Sequence, residues 1–148
     1  MTGRADNSSG GQAMPAFVWN DSCSVHVEHF DTQHRKLFEV VNSLDEAMRA
    51  GRGDEVMRDV VHRLAVYTRT HFLQEEVAMR RTGYPAMAAH RAEHQALMAE
   101  VEKFKKDLDE GRQPNTVVVL DFLREWLVNH IRKSDRAYSD HLNAHGVR

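Results

Sequence analysis

The sequence predicts an all-α protein, an antiparallel up-down-up-down four-helix bundle with an N-terminal arm. Three observations carry that expectation. Apolar residues recur at steps of three and four along four segments. Glycine and proline interrupt this pattern and leave only short connections, which force successive helices antiparallel. Histidine is abundant, ten residues among 148, and half of it falls on the apolar stripes rather than the polar faces.

Residues 1–16 are rich in Gly, Ser, Asn and Ala and contain Pro15. They read as a disordered segment ahead of a domain over 17–148. Phe17, Val18 and Trp19 form an arm with enough apolar surface to dock on a core. The first helix is expected from about Asp31 to Ala50, with His34, Leu37, Val41, Leu44 and Met48 inward and Gly51 and Gly53 ending it. The second starts on Asp54 as N-cap. It turns Met57, Val60, Leu64, Tyr67, His71, Glu75 and Ala78 inward before Gly83 and Pro85 close it. The third runs from about Pro85 to Glu110, with His90, His94, Leu97, Val101, Phe104 and Leu108 on one face, and Gly111 and Pro114 follow. The fourth begins near Thr116, faces Leu120, Leu123, Leu127 and His130 inward, and reaches about residue 142. Within it Val117-Val118-Val119 is too short and unpaired for a strand, and the helical period continues past it.

Composition narrows the function. With 41% of residues hydrophobic, the chain suits one domain with one core. Lys plus Arg total 20 against 22 Asp plus Glu, so nothing suggests a nucleic-acid patch or a membrane-surface protein. No apolar run approaches the roughly 18 residues of a membrane span. The N-terminus has no apolar h-region, and the single cysteine, Cys23, excludes an intrachain disulfide and reads as an inert thiol. A cytoplasmic monomer is the default expectation.

The chemistry lies in the buried polar positions. His34, His71, His90, His94 and His130 each stand where the period calls for a core residue, and Glu75 does the same. Unpartnered, such groups would cost several kcal/mol each to bury, whereas a metal binds neutral imidazole and carboxylate directly. His71 and Glu75 are four apart and share a helix face, and His90 and His94 repeat the spacing. His130 and Asp135 are five apart, which a regular helix splays by about 140°; a local π-bulge would bring them together. Seven ligands at mid-bundle are too many for one tetrahedral zinc and suit two ions sharing bridging carboxylates. Elsewhere, His62 reads as surface, His26 and His29 as surface or arm contacts, and His141 and His145 as part of a frayed tail. Glu76 reads as a solvated helix charge pointing away from the site, and Tyr67 as packing under the metals or filling core.

Phe30-Asp31-Thr32-Gln33-His34-Arg35-Lys36-Leu37-Phe38, His71-Phe72-x-x-Glu75-Glu76, Gly83-Tyr84-Pro85, His90-x-x-x-His94 and Trp126-Leu127-x-x-His130-Ile131-x-x-x-Asp135-x-x-Tyr138 closely resemble the bacteriohemerythrins over about residues 17–141. The resemblance implies two non-haem iron ions with an oxo or hydroxo bridge. One would be held by His90, His94 and His130, the other by His34 and His71, with Glu75 and Asp135 bridging and dioxygen taken at the open position of the two-histidine iron. It also implies an apolar pocket there of Trp126, Leu127 and Ile131, with Leu37 and Phe38 as further candidates. This chain departs from the family at His26 and His29, where a glycine and a non-histidine polar residue are more usual.

Reversible dioxygen binding, as carrier, store or sensor, is therefore the expected function, with an oxygen-consuming enzyme as a candidate recipient. A di-iron oxidase, peroxidase or nitric-oxide-handling enzyme is the alternative. The paired Glu-x-x-His motifs of di-iron oxidases are absent, which favours binding over turnover. His90-Arg91-Ala92-Glu93-His94 also matches the H-x-x-E-H zinc-hydrolase pattern, but that reading leaves the other ligands unexplained.

Overall fold

The computed structural model describes residues 17–148; the expected disorder of residues 1–16 lies outside them. Four long helices follow one another: α1 (Glu28–Arg49), α2 (Gly53–Thr82), α3 (Met87–Asp109) and α4 (Thr116–Asn129). A π-helical segment, His130–Asp135, continues α4, and a short α5 (Ser139–Ala144) ends the chain. Helix α1 packs along α2 and α4, α2 along α3, and α5 returns onto α2. The connections at 50–52, 83–86 and 110–115 are too short for anything but antiparallel neighbours.

Local chemistry sets the boundaries. Helix α1 starts three residues earlier than the period suggested. Asp31 sits in its first turn and accepts hydrogen bonds from the Val25 amide (2.8 Å) and the Ser24 hydroxyl (2.7 Å), tying the incoming loop to the helix start. Gly83 adopts φ 68° after α2, and the Tyr84 amide returns to the Met79 carbonyl at 2.9 Å, the left-handed C-cap that glycine adopts without a Cβ penalty. Two expectations at the α1–α2 turn need correction. Gly53 does not end α1: it opens α2, where a Cβ would lie 3.0 Å from the Thr116 methyl and 3.3 Å from Met48 Cα. Asp54 is not the N-cap, a place taken by Arg52 without a side-chain bond. The Asp54 carboxylate instead accepts from the Thr116 hydroxyl at 2.8 Å, joining the starts of α2 and α4, and its charge still complements the helix dipole.

The arm docks as expected. Phe17 is buried, its amide donates to Asn42 Oδ1 and its carbonyl accepts from Asn42 Nδ2, both at 2.9 Å. Phe38 packs against Phe17 and Trp19 with ring centroids 5.4 and 5.6 Å away. Cys23 is buried and unbridged. The tail beyond Asp135 is not frayed: Leu142 is fully buried, His141 Nε2 donates to the Thr82 carbonyl at 2.9 Å, and His145 Nδ1 donates to the His141 carbonyl at 2.8 Å. No helix among the described residues is long and apolar enough to cross a membrane.

Apolar packing forms two bodies. The larger, built from residues such as Leu37, Leu44, Met57, Leu64, Leu97, Leu120 and Leu127, fills most of the bundle. The smaller comprises Val25, Val27, Phe30, Met79, Tyr138 and Leu142. The buried polar groups lie between them, so they sit toward the end carrying the α2–α3 turn rather than at mid-bundle.

Candidate metal centre

Each helix delivers its polar residues from the face that period assigns it: His34 from α1, His71 and Glu75 from α2, His90 and His94 from α3. The π segment delivers His130 and Asp135. Widening one turn by a residue places this last pair on a common face, as the five-residue spacing demanded. All seven are buried, none more than 5% exposed.

They form two overlapping groups. His90, His94 and His130 gather with Glu75 and Asp135; His34 and His71 gather with the same two carboxylates. Within each group one ligand atom per residue lies within 4.8 Å of the others. Asp135 spans the two: Oδ1 lies 2.8 Å from His90 Nε2 and 2.9 Å from His130 Nε2, while Oδ2 lies 3.0 Å from His34 Nε2. Glu75 Oε1 lies 3.1 Å from His71 Nε2 and 3.3 Å from His94 Nε2. Its Oε2 accepts a hydrogen bond of 2.5 Å from the buried Tyr138 hydroxyl.

These short N···O separations lack hydrogen-bond geometry. The Nε2 atoms of all five histidines, Glu75 Oε1 and both Asp135 oxygens are buried with no hydrogen-bond partner among the described residues. So many orphaned groups would cost several kcal/mol each. Their lone pairs converge on shared points instead, the arrangement that suits cations. A donor set of imidazole nitrogens and carboxylate oxygens fits divalent iron, zinc or manganese.

The electrostatics express the same demand. Burial alone would raise Glu75 and Asp135. The charge on His71 and the nearness of His34 and His94 hold Glu75 well below its ordinary range, and His130 and His34 do so for Asp135 against the repulsion of Glu75. Burial pulls His34 and His130 down, yet Asp135 and Glu75 together hold them at about 10 and about 9. His71 ends below its ordinary value, because burial outweighs the attraction of Glu75. Two ionised carboxylates thus draw protons onto two imidazoles when only protons are available. The Tyr138 hydroxyl, pushed well above its usual range by burial and by Glu75, keeps its proton and remains a donor.

The outward nitrogens carry partners that the sequence did not announce. His94 Nδ1 donates to Glu76 Oε2 at 3.1 Å, and Arg91 Nε lies 3.4 Å from the other Glu76 oxygen. Glu76 therefore does not point away into solvent: it turns over the rim of α2 toward α3. His130 Nδ1 donates to Glu93 Oε2 at 2.7 Å, and the Ser134 hydroxyl donates to the same oxygen at 2.5 Å. His71 Nδ1 donates to Gln33 Oε1 at 2.5 Å. With Nε2 of His71 turned to the site, that polarity propagates outward: Gln33 Nε2 donates to Gln74 Oε1 and so does His29 Nε2, both at 2.6 Å. His29 thus ends a polar chain on His71. His26, at φ 57°, occupies a left-handed position that suits glycine.

Of the expected apolar pocket, Leu37, Leu127 and Ile131 lie in the larger core cluster. Trp126, half-buried, stacks on His130 with centroids 4.5 Å apart and planes 13° apart, on the three-histidine side. Phe38 turns to the arm. The aromatic that the sequence reading overlooked is Phe72, stacked on His94 at 3.7 Å and 5° and also beside His71, His130 and Trp126. Its signal was its place next to His71. Tyr67 is partly buried against the larger core cluster, and His62 is half-exposed beside Asp109, Nε2 to Oδ1 3.0 Å.

Residues 25–142 match the hemerythrin HHE cation binding domain. The chain is 34% identical to a bacteriohemerythrin of Stenotrophomonas maltophilia over 135 residues, covering 89% of this chain and 85% of that one. It is 33% identical to a bacteriohemerythrin of Clostridium acetobutylicum over 129 residues, covering 84% and 99%. The crystal structure of a wild-type hemerythrin superposes with a TM-score of 0.77 at 33% identity, covering 85% of this chain and 97% of that one.

Proposed function

We propose that this chain, which belongs to the hemerythrin family of cation-binding domains, binds dioxygen reversibly at a carboxylate-bridged pair of non-haem irons. One observation carries the reading: two groups of buried donors, three histidines in one and two in the other, share Glu75 and Asp135. Unequal donor numbers leave the two-histidine position short of a ligand, and an open position is what a diatomic molecule needs.

In this reading His90, His94 and His130 would hold one iron and His34 and His71 the other, with Glu75 and Asp135 available to both. A bound iron pair supplies reversible two-electron chemistry toward dioxygen. The protein's part is placement and exclusion. Tyr138 keeps Glu75 oriented by donating to Oε2, which leaves Oε1 facing His71 and His94. Gln33, Glu76 and Glu93 hold three imidazoles with Nδ1 protonated and Nε2 inward. Leu37, Leu127, Ile131 and Phe72 keep water from the centre, and limited water and anion entry slows irreversible oxidation. Carriage, storage, sensing or delivery to an oxygen-consuming enzyme would all use this binding step.

The test is optical. Protein purified in air is reduced anaerobically and then exposed to dioxygen. A visible charge-transfer band that appears with dioxygen and disappears on degassing supports the reading. Oxidation with no reversible band refutes it and moves the centre to the oxidase alternative. One zinc per chain would refute both.

A further inference from the structure

The two halves of the centre differ in more than their number of histidines. On the three-histidine side, His94 donates its outer N–H to the Glu76 carboxylate at 3.1 Å and His130 to the Glu93 carboxylate at 2.7 Å. On the two-histidine side, His71 donates to a neutral amide oxygen, Gln33 Oε1, at 2.5 Å, and His34 Nδ1 is buried without a hydrogen-bond partner among the described residues. A carboxylate accepting from Nδ1–H draws that proton toward itself and makes the opposite nitrogen a stronger donor to a metal. A neutral amide fixes the same tautomer with far less of this push, since charge-assisted hydrogen bonds are roughly twice as strong as neutral ones.

We propose that the centre loads in order: the three-histidine position fills first and tightly, and the two-histidine position fills second and exchanges more readily. Glu76 and Glu93 are the positioning residues that set the first step, and Gln33 sets the second. This rests on the two-metal reading above. The order places the weaker hold on the metal that keeps the open position, so loss and replacement of metal occur there while the three-histidine metal stays in place.

Titrating the metal-free protein with cobalt(II) alone tests this, since cobalt(II) takes the same nitrogen and oxygen donors. Wild type should bind two ions per chain in two resolved steps. Glu76→Gln and Glu93→Gln should each weaken the first step by about 10–100-fold and leave the second nearly unchanged, the range expected when a carboxylate behind a ligating histidine is lost. Gln33→Glu should move the other way and tighten the second step alone. A general structural role would shift both steps together. Two equal steps in wild type, or variants that weaken both steps alike, overturn the order while leaving the two-metal reading standing. Fewer than two cobalt ions per chain overturns the two-metal reading itself.

Discussion

Stripping the metal should reverse the way stability depends on pH. In the metal-free protein the two ionised carboxylates are balanced by protons on His34 and His130, held at about 10 and about 9 against an ordinary 6.5. A group whose folded pKa is raised contributes stability that is fully present below its unfolded pKa and is lost as pH rises through the folded value. Between pH 7 and 9 the folded state thus carries about one and a half protons that the unfolded chain has released. That difference corresponds to about 2 kcal/mol of stability lost per pH unit. On the acid side the lowered Glu75 and Asp135 work in the opposite sense: their contribution is present above about pH 4 and disappears as pH falls further. His71, lowered by burial, must be charged at cost below about 6.5. Metal-free protein should therefore be most stable near pH 5–7. A metal replaces those protons, so the loaded protein should gain stability over the alkaline interval in which the metal-free form loses it. Urea unfolding followed by circular dichroism at 222 nm, with and without chelator, reads both slopes. A metal-free stability that is flat or rises between pH 7 and 9 would refute the argument that protons stand in for the cations.

Three further outcomes are expected. Leu127→Ala should cost about 2–5 kcal/mol, as for other buried leucines, and should speed irreversible oxidation of the reduced centre, followed as decay of the visible band; an unchanged rate would show that Leu127 does not guard the open position. Tyr138→Phe should cost about 1–3 kcal/mol in the metal-free protein by leaving Glu75 Oε2 buried without a donor, and a change below a few tenths in urea unfolding would deny that hydrogen bond a role. His26→Gly should stabilise the protein by about 0.5–1 kcal/mol, because relief of the left-handed strain exceeds the backbone entropy glycine adds; a lower urea midpoint would mean that the imidazole makes a stabilising contact.

The bundle was legible because its information is local. A period of 3.6 residues and the stops at Gly51, Gly83 and Gly111 need no knowledge of neighbours, and they place the first three helices and the start of the fourth to within a few residues. The fourth, expected unbroken to about residue 142, instead ends at Asn129 and gives way to the π segment and α5. Six of the seven inward polar residues were legible for the same reason: each breaks an apolar stripe. The five-residue step from His130 to Asp135 even announced the π segment, since a regular helix cannot bring both inward. What escaped were groups whose role depends on the helix alongside. Glu76, Glu93 and Gln33 sit at the edges of their stripes, where period reads them as solvated, and only the neighbouring helices supply His94, His130 and His71 as partners. Gly53 and Asp54 were misread likewise, because both answer to Thr116 across the bundle. The family resemblance offered Phe38 to the pocket, but the docked arm claims it.

The widened turn at His130–Asp135 acts on more than the residue it was expected to deliver. In an uninterrupted α-helix, Asp135, Tyr138 and Leu142 would point about 140°, 80° and 120° around the axis from His130. One residue absorbed in the wide turn retards everything downstream by about 100°. All three then fall within about 40° of the direction His130 takes, and all three are buried. A single phase offset thus aims a buried carboxylate shared by both donor groups, the hydroxyl that steadies the other shared carboxylate, and the leucine that anchors the tail. The chain from Asp135 to Leu142 is geared to that one turn. A sequence shorter there by one residue would keep every helix-forming residue it has and mis-aim the three together.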